Sequence, residues 1–214
     1  MKKFTPQDLI GFEERVCEAW KNKEIRAPVH LYYGNEEQMI RIFDDIRPQD
    51  WVFCSWRSHY QCLLKGVPPE QLLTDIKKGR SIALNYPEFR IFSSAIVAGN
   101  IPIANGVALA IKRQKLDEHV YCFVGDMTSE TGTFHENWKY SVNFDLPITW
   151  IIEDNGKSVC TDTRKTWGVS QLSNEPNADW LNSSSDKTMK LEKIIYYKYE
   201  TKYPHAGTGE RIQF

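Results

Sequence analysis

The sequence predicts an α/β fold, a parallel sheet flanked by helices. Two continuous apolar runs, Val120 to Val124 (VYCFV) and Ile148 to Ile152 (ITWII), are separated by a stretch of helical pattern. Unbroken apolar runs of this length suit strands covered on both faces. Strand, helix and strand in succession make a βαβ unit, whose strands run parallel with a right-handed crossover. With 214 residues, 41% hydrophobic and 26% charged, the composition is that of an ordinary globular chain. Such a chain buries about 70% of its unfolded surface, and the length favours one domain over 1–214.

The elements follow in order. Thr5 can cap a first helix, with Pro6 at its first position and Asp8 near the positive end of its dipole. Leu9, Phe12, Val16 and Trp20 then recur at helical spacing. His30 to Gly34 is turn-like and leads into a helix over Glu36 to Ile46, which Pro48 ends. Trp51 to Trp56 reads as a short buried strand. Pro68-Pro69 opens a helix carrying Leu72, Leu73 and Ile76, with Gly79 at its end. Ser93 to Gly99 is a run of small residues, and Ile101 to Lys115 is helical. Ser129 to Phe144 forms the crossover helix, and Pro147 interrupts it before the second strand. Ser170 to Lys187 is mostly polar and reads as a long loop. Ile194 to Tyr197 is compatible with a last strand, and the tail from Pro204 to Gly209 is turn-rich.

Charge and cysteine usage narrow the function. A net charge of -1 offers no bulk attraction for nucleic acid or membrane. Five cysteines, an odd number without a CxxC pair, argue against a disulfide scaffold or zinc site and for a reducing, cytoplasmic setting. The start, MKKFTPQDLIGFEE, turns acidic before an apolar core forms and does not read as a signal peptide. No apolar run approaches the about 20 residues that span a bilayer. His135-Glu136 lacks the second His of a zinc motif. The seven Trp suit core filling or a subunit interface.

The chemistry gathers where the two middle strands end. Gly125-Asp126 follows the first and Glu153-Asp154-Asn155-Gly156 the second. Both are also common turn signals. In an open parallel sheet, however, ligands bind outside the carboxyl ends of the strands, and a βαβ unit puts both ends on one edge. Asp126 and Asn155 can therefore meet. One carboxylate and one amide oxygen suit a hard cation such as Mg²⁺, which completes its shell with phosphate oxygens and water. Two such ligands hold it weakly, so the pattern asks for a diphosphate-containing cofactor.

These residues resemble the thiamine diphosphate motif, Gly-Asp with a downstream Asn. Further segments are similar to the alpha subunits of 2-oxo acid dehydrogenases: His30-Leu31 with Gly34 and Glu36-Glu37, Trp56-Arg57-Ser58-His59, Ile96 to Pro102, Gly106 to Ala110, Gly132 with Glu136, and Leu146-Pro147. Residues 28–160 carry the match in one order, and 161–214 form a divergent segment.

The resemblance implies a thiamine diphosphate-binding fold and a role for each matching residue. Asp126 and Asn155 would coordinate Mg²⁺ by side chain, and Lys157 through its backbone carbonyl. Arg57 would contact the cofactor diphosphate, as a bidentate guanidinium suits phosphate geometry. Trp56, Ala95, Val97, Gly125, Met127 and Thr128 would line the cofactor; Trp56, standing where the family has Tyr, packs without a hydroxyl. His30 would lie near the reacting centre as hydrogen-bond donor or acid/base, and His59 would help shape the same site. His119, His135 and His205 are read as structural. The family carries a further active-site His in a loop after the Asn, whereas here no His follows until His205.

In the family a Glu from a beta-type partner activates the cofactor, and the working unit is an α₂β₂ heterotetramer. The implied reaction is decarboxylation of a 2-oxo acid with transfer of the acyl or aldehyde unit. A split transketolase-like or acyloin-forming enzyme acting on a sugar-type substrate is the alternative, and a non-catalytic cofactor-binding subunit is a third.

Overall fold

The first helix starts where its cap dictates. The Thr5 N–H donates to Asp8 Oδ2 at 2.8 Å, and the Asp8 N–H donates to Thr5 Oγ1 at 3.2 Å. This reciprocal box satisfies two otherwise orphaned donors and begins α1 (Pro6–Lys21). The computed structural model describes residues 3–175, 188–191 and 193–208, with backbone alone for 188–191. After α1 come α2 (Glu36–Asp44), β1 (Trp51–Cys54), α3 (His59–Leu64) and α4 (Pro69–Asp75). A π turn at Ile76–Arg80 extends α4 and is closed by Gly79 at φ +81°. Next are β2 (Asn85–Tyr86), β3 (Ile91–Ser93), α5 (Asn100–Gln114) and β4 (Val120–Gly125). The chain continues through α6 (Asp126–Ser129), α7 (Gly132–Asn143) and β5 (Ile148–Asp154). A small hairpin of β6 (Lys157–Ser158) and β7 (Thr161–Asp162) leads to α8 (Thr163–Trp167); β8 (Thr188–Leu191) and β9 (Ile194–Lys198) close the order.

Among the described residues one sheet has seven strands in the order β2-β3-β1-β4-β5-β9-β8. The inner strands β3, β1, β4, β5 and β9 run parallel, and β2 and β8 are antiparallel edges. β4 and β5 are in register from Val120 opposite Ile148 to Gly125 opposite Glu153. The parallel βαβ unit expected from the two apolar runs is present. The last strand lies parallel beside β5, with Trp150 opposite Ile194.

Alternation along these strands divides the core between two faces. Phe123 and Ile151 pack with Leu9, Phe12, Met39 and Leu72 on the side of α1 to α4. Cys122, Val124, Trp150 and Ile152 pack with Ile101, Ala104, Ala108 and Phe134 on the side of α5 and α7. Trp150 is fully buried, and its indole N–H donates to Ser141 Oγ at 3.0 Å. Truncating such a side chain costs about 3–5 kcal/mol.

Two expectations need correction. The helix expected over Ser129 to Phe144 starts three residues later, as α7, because the Thr131 hydroxyl caps it by accepting from the Phe134 N–H at 3.2 Å. The strand expected to reach Trp56 ends at Cys54. Of the loop expected over Ser170 to Lys187, residues 176–187 lie outside the described residues, as does Gly209 in the tail. No helix among the described residues is long and apolar enough to cross a membrane.

Candidate functional site

The parallel topology brings the ends of β1, β4, β5 and β9 to one edge, and a cleft of about 470 Å³ opens there. Trp56 and Arg57 enter it from the turn after β1, Gly125 from the end of β4, and Met127 and Thr128 from α6. Asn155 directly follows β5, Lys157 begins β6, and Tyr199 and His205 come from the segment after β9. That last segment is pinned by close packing. Gly34 has φ +91°, and a Cβ there would lie 2.0 Å from the Glu200 carbonyl oxygen. Any other residue at position 34 would push the tail off the cleft.

Asp126 lies under the cleft at the start of α6, only 1% exposed. Its Oδ2 is buried with no hydrogen-bond partner. Burial pushes this carboxyl up to about 7, the nearby Thr163 hydroxyl draws it down, and the Asp154 charge pushes it up again. A buried carboxylate oxygen without a donor costs free energy until a cation or proton meets it. Asp154 behaves differently. Burial works to raise it, but hydrogen bonds from Arg164 and Tyr196 hold it below its ordinary value. Arg164 bridges Asp154 Oδ2 at 2.6 Å and Glu175 Oε2 at 2.7 Å, and Lys198 also pairs with Glu175. This ion network ties α8 and the stretch after it to the sheet edge.

A second network lies behind Arg57. Glu153 accepts from the hydroxyls of Tyr32 (3.0 Å) and Tyr197 (2.5 Å) and from Asn35 Nδ2 (3.3 Å). Burial pushes its carboxyl up to about 7 against the pull of the two hydroxyls and of the Arg57 charge. The Arg57 guanidinium sits 5.7 Å from the Tyr32 ring centre, and its Nε is buried without a partner. Arg57 thus keeps donor capacity at the cleft.

Three rings close one end. His30 lies 4.5 Å from His205 and 5.9 Å from Trp56, centroid to centroid. The His30 Nδ1 contacts the His205 carbonyl. A carbonyl only accepts, so Nδ1 carries the proton and Nε2 keeps its lone pair. Burial lowers His30 to about 4, partly opposed by that carbonyl, so the ring is neutral near pH 7.

The structure therefore gathers Trp56, Arg57, Gly125, Met127, Thr128, Asn155 and Lys157 around the cleft, with Asp126 beneath and His30 against its wall. It does not gather three other expected residues. His59 is fully buried away from the cleft, with Nδ1 bonded to Glu13 at 3.0 Å and Nε2 to Ser81 Oγ at 2.8 Å. Ala95 and Val97 sit on the exposed segment between β3 and α5, where Ile96 is 74% and Val97 53% exposed. His205, read as structural, lines the cleft. Tyr199 and Glu153 line it too and had gone unassigned. The usable signal was Ile194 to Tyr197: taken as a strand parallel to β5, it puts the residues after it on the ligand edge.

The donor set can be matched to a ligand. Asp126 Oδ2 lacks a donor, Arg57 Nε lacks an acceptor, and Asn155 stands at the same edge. A buried carboxylate oxygen and a buried guanidinium nitrogen, both unmet and both following strands that end on one edge, fit a cation bound to an anionic oxygen ligand, such as Mg²⁺ with a diphosphate. Fold and site define an α/β protein with a polar cleft at the carboxyl edge of its sheet. The family model for the dehydrogenase E1 component matches residues 7–179, and the chain belongs to that family. Membership implies a thiamine diphosphate cofactor.

Its relatives include the acetoin:2,6-dichlorophenolindophenol oxidoreductase alpha subunits of Bacillus subtilis, 26% identical over 72% of this chain and 49% of the relative, and of Cupriavidus necator, 30% identical over 72% and 49%. The pyruvate dehydrogenase E1 component alpha subunit of Porphyra purpurea is 28% identical over 69% of this chain and 48% of its own. The chain spans about half the length of these curated relatives.

Proposed function

We propose that this chain is the alpha-type subunit of a thiamine diphosphate enzyme, with the thiamine diphosphate-binding fold, holding the cofactor diphosphate and Mg²⁺. With a beta-type partner it would decarboxylate a 2-oxo acid and pass on the acyl or aldehyde unit. The observation that carries this is the partnerless buried oxygen of Asp126 directly after β4, with Arg57 following β1 and Asn155 following β5, the two strands that flank β4.

Asp126 and Asn155 would hold Mg²⁺ by side chain and Lys157 by its carbonyl, and Arg57 would take the diphosphate. The bound cofactor would supply a nucleophilic carbon and an electron sink for cleaving a C–C bond. Trp56 walls the reacting end and keeps water out. The His30 Nε2, neutral and without a partner among the described residues, would accept a proton there. The His205 imidazole, in reach of the same space, would hydrogen-bond the substrate.

Exposed Ile96, Val97 and Ile103 lie at the same sheet edge and support a partner docking there, in an α₂β₂ heterotetramer. A cytoplasmic setting belongs to the same proposal. The relatives named for acetoin favour a second reading, in which the carbonyl substrate or product is an acyloin.

Calorimetry of thiamine diphosphate with Mg²⁺ tests the proposal, using wild type and Asp126→Ala, each alone and mixed with a beta-type subunit. Metal-dependent binding that needs the partner and vanishes in the variant is the expected result. No binding in any mixture would remove the cofactor site.

A further inference from the structure

We propose that the Tyr199 hydroxyl is a third anchor for the diphosphate, beside Arg57 and Asn155. The inference rests on the reading that the cleft takes a diphosphate, and it adds a residue that no motif assigned. The Tyr199 N–H donates to the Asp154 carbonyl at 3.0 Å, which carries the β5–β9 pairing one step past the end of β9. That bond fixes the phenol beside Asn155. The residue is 8% exposed and lines the cleft, its ring 6.0 Å from that of Tyr197.

The hydrogen-bond inventory of this oxygen decides its role. A phenol has one proton and lone pairs to accept with. Arg57 Nη1 donates to Tyr199 Oη at 3.4 Å and Asn155 Nδ2 donates to it at 3.5 Å. Two donors occupy its accepting side, and its own O–H has no acceptor among the described residues. A donor facing a cleft between a guanidinium and an amide calls for an anionic oxygen.

The phenol also sets the face of Asn155. With Nδ2 turned to Tyr199, Oδ1 accepts from the Lys157 N–H at 3.1 Å and keeps a lone pair for a cation. One hydroxyl thereby orients the amide and binds the diphosphate.

The test compares wild type, Tyr199→Phe and Tyr121→Phe, each mixed with the beta-type subunit at saturating Mg²⁺. Tyr121 is the control, a phenol whose hydroxyl reaches the Asp45 carbonyl at the far end of β4. Calorimetry measures affinity for thiamine diphosphate and, separately, for inorganic pyrophosphate, and thermal midpoints are read in parallel. Losing one hydrogen bond to a charged ligand should weaken both probes about ten- to hundredfold in Tyr199→Phe. Tyr121→Phe should match wild type, and the Tyr199→Phe midpoint should show that the variant is folded. Wild type that binds neither probe removes the diphosphate reading itself. Wild type that binds both, with Tyr199→Phe binding as tightly, overturns the anchor while leaving that reading intact. Weakening confined to thiamine diphosphate, with pyrophosphate unchanged, overturns it as well.

Discussion

The Tyr32 hydroxyl lies 3.0 Å from Glu153 Oε2, joining the segment before α2 to the end of β5 across 121 positions of sequence. The same phenol oxygen accepts from Gln61 Nε2 at 2.6 Å and lies 3.0 Å from the Arg57 carbonyl. It therefore ties the Arg57 turn to the strand that presents Asn155. Tyr32→Phe leaves these buried groups short of a partner and should cost about 1–3 kcal/mol. Urea unfolding of the chain would register this as a lower midpoint at unchanged slope. A midpoint equal to wild type would show that the network adds nothing to stability.

Asp126 should trade stability for binding. Its Oδ2 is buried and unmet, so the ionised carboxylate burdens the free chain. Asp126→Asn removes the charge at nearly constant volume. The free variant should be as stable as wild type or more so by about 1–2 kcal/mol. It should also lose metal-dependent binding. Thermal melts without metal, set beside calorimetry with Mg²⁺, check both halves, and a destabilised variant would contradict the first.

His30 gives the free chain a pH dependence whose sign is fixed. Burial lowers it from 6.5 to about 4, so between those values the unfolded chain binds more protons than the folded one. Its contribution is full above pH 6.5 and is lost as pH falls toward 4, by about 3 kcal/mol in all. His30→Asn should flatten this part of the stability profile. The wild-type imidazole should show no titration by NMR between pH 5.5 and 8 (about one pKa-width clear of its lowered value). A midpoint near 6.5 would refute it.

Arg164 holds the segment after β7 in place. Its guanidinium meets Asp154, whose side chain is 1% exposed, and Glu175, whose side chain is 5% exposed. Arg164→Ala leaves Asp154 without its cation and should cost about 3 kcal/mol. The loss is local, so limited proteolysis should open new cuts within residues 163–175 before the sheet unfolds. Digestion like that of wild type would mean that Lys198 and Tyr196 suffice to hold the stretch.

The sequence alone determined the βαβ centre of this protein and the edge where its cleft opens. Apolar runs, helical spacing and the Thr5 cap act through near neighbours, so VYCFV and ITWII read as buried strands without knowledge of their partners. The strand-end rule then put Asp126 and Asn155 on one edge, and the family resemblance added Arg57, which lines the cleft with Asn155. The tertiary structure decided the rest of the site. His59 is equally at home near a cleft or in a core, and its pairing with Glu13 and Ser81 put it in the core. Ala95 and Val97 are exposed on the segment between β3 and α5, outside the residues that line the cleft. His205 and Tyr199 entered the cleft because β9 runs parallel to β5 and the tail fits against Gly34, which has no Cβ to block it. Those placements depend on contacts between segments far apart in sequence. Local periodicity carries no record of such contacts, since they arise only when the sheet closes its order.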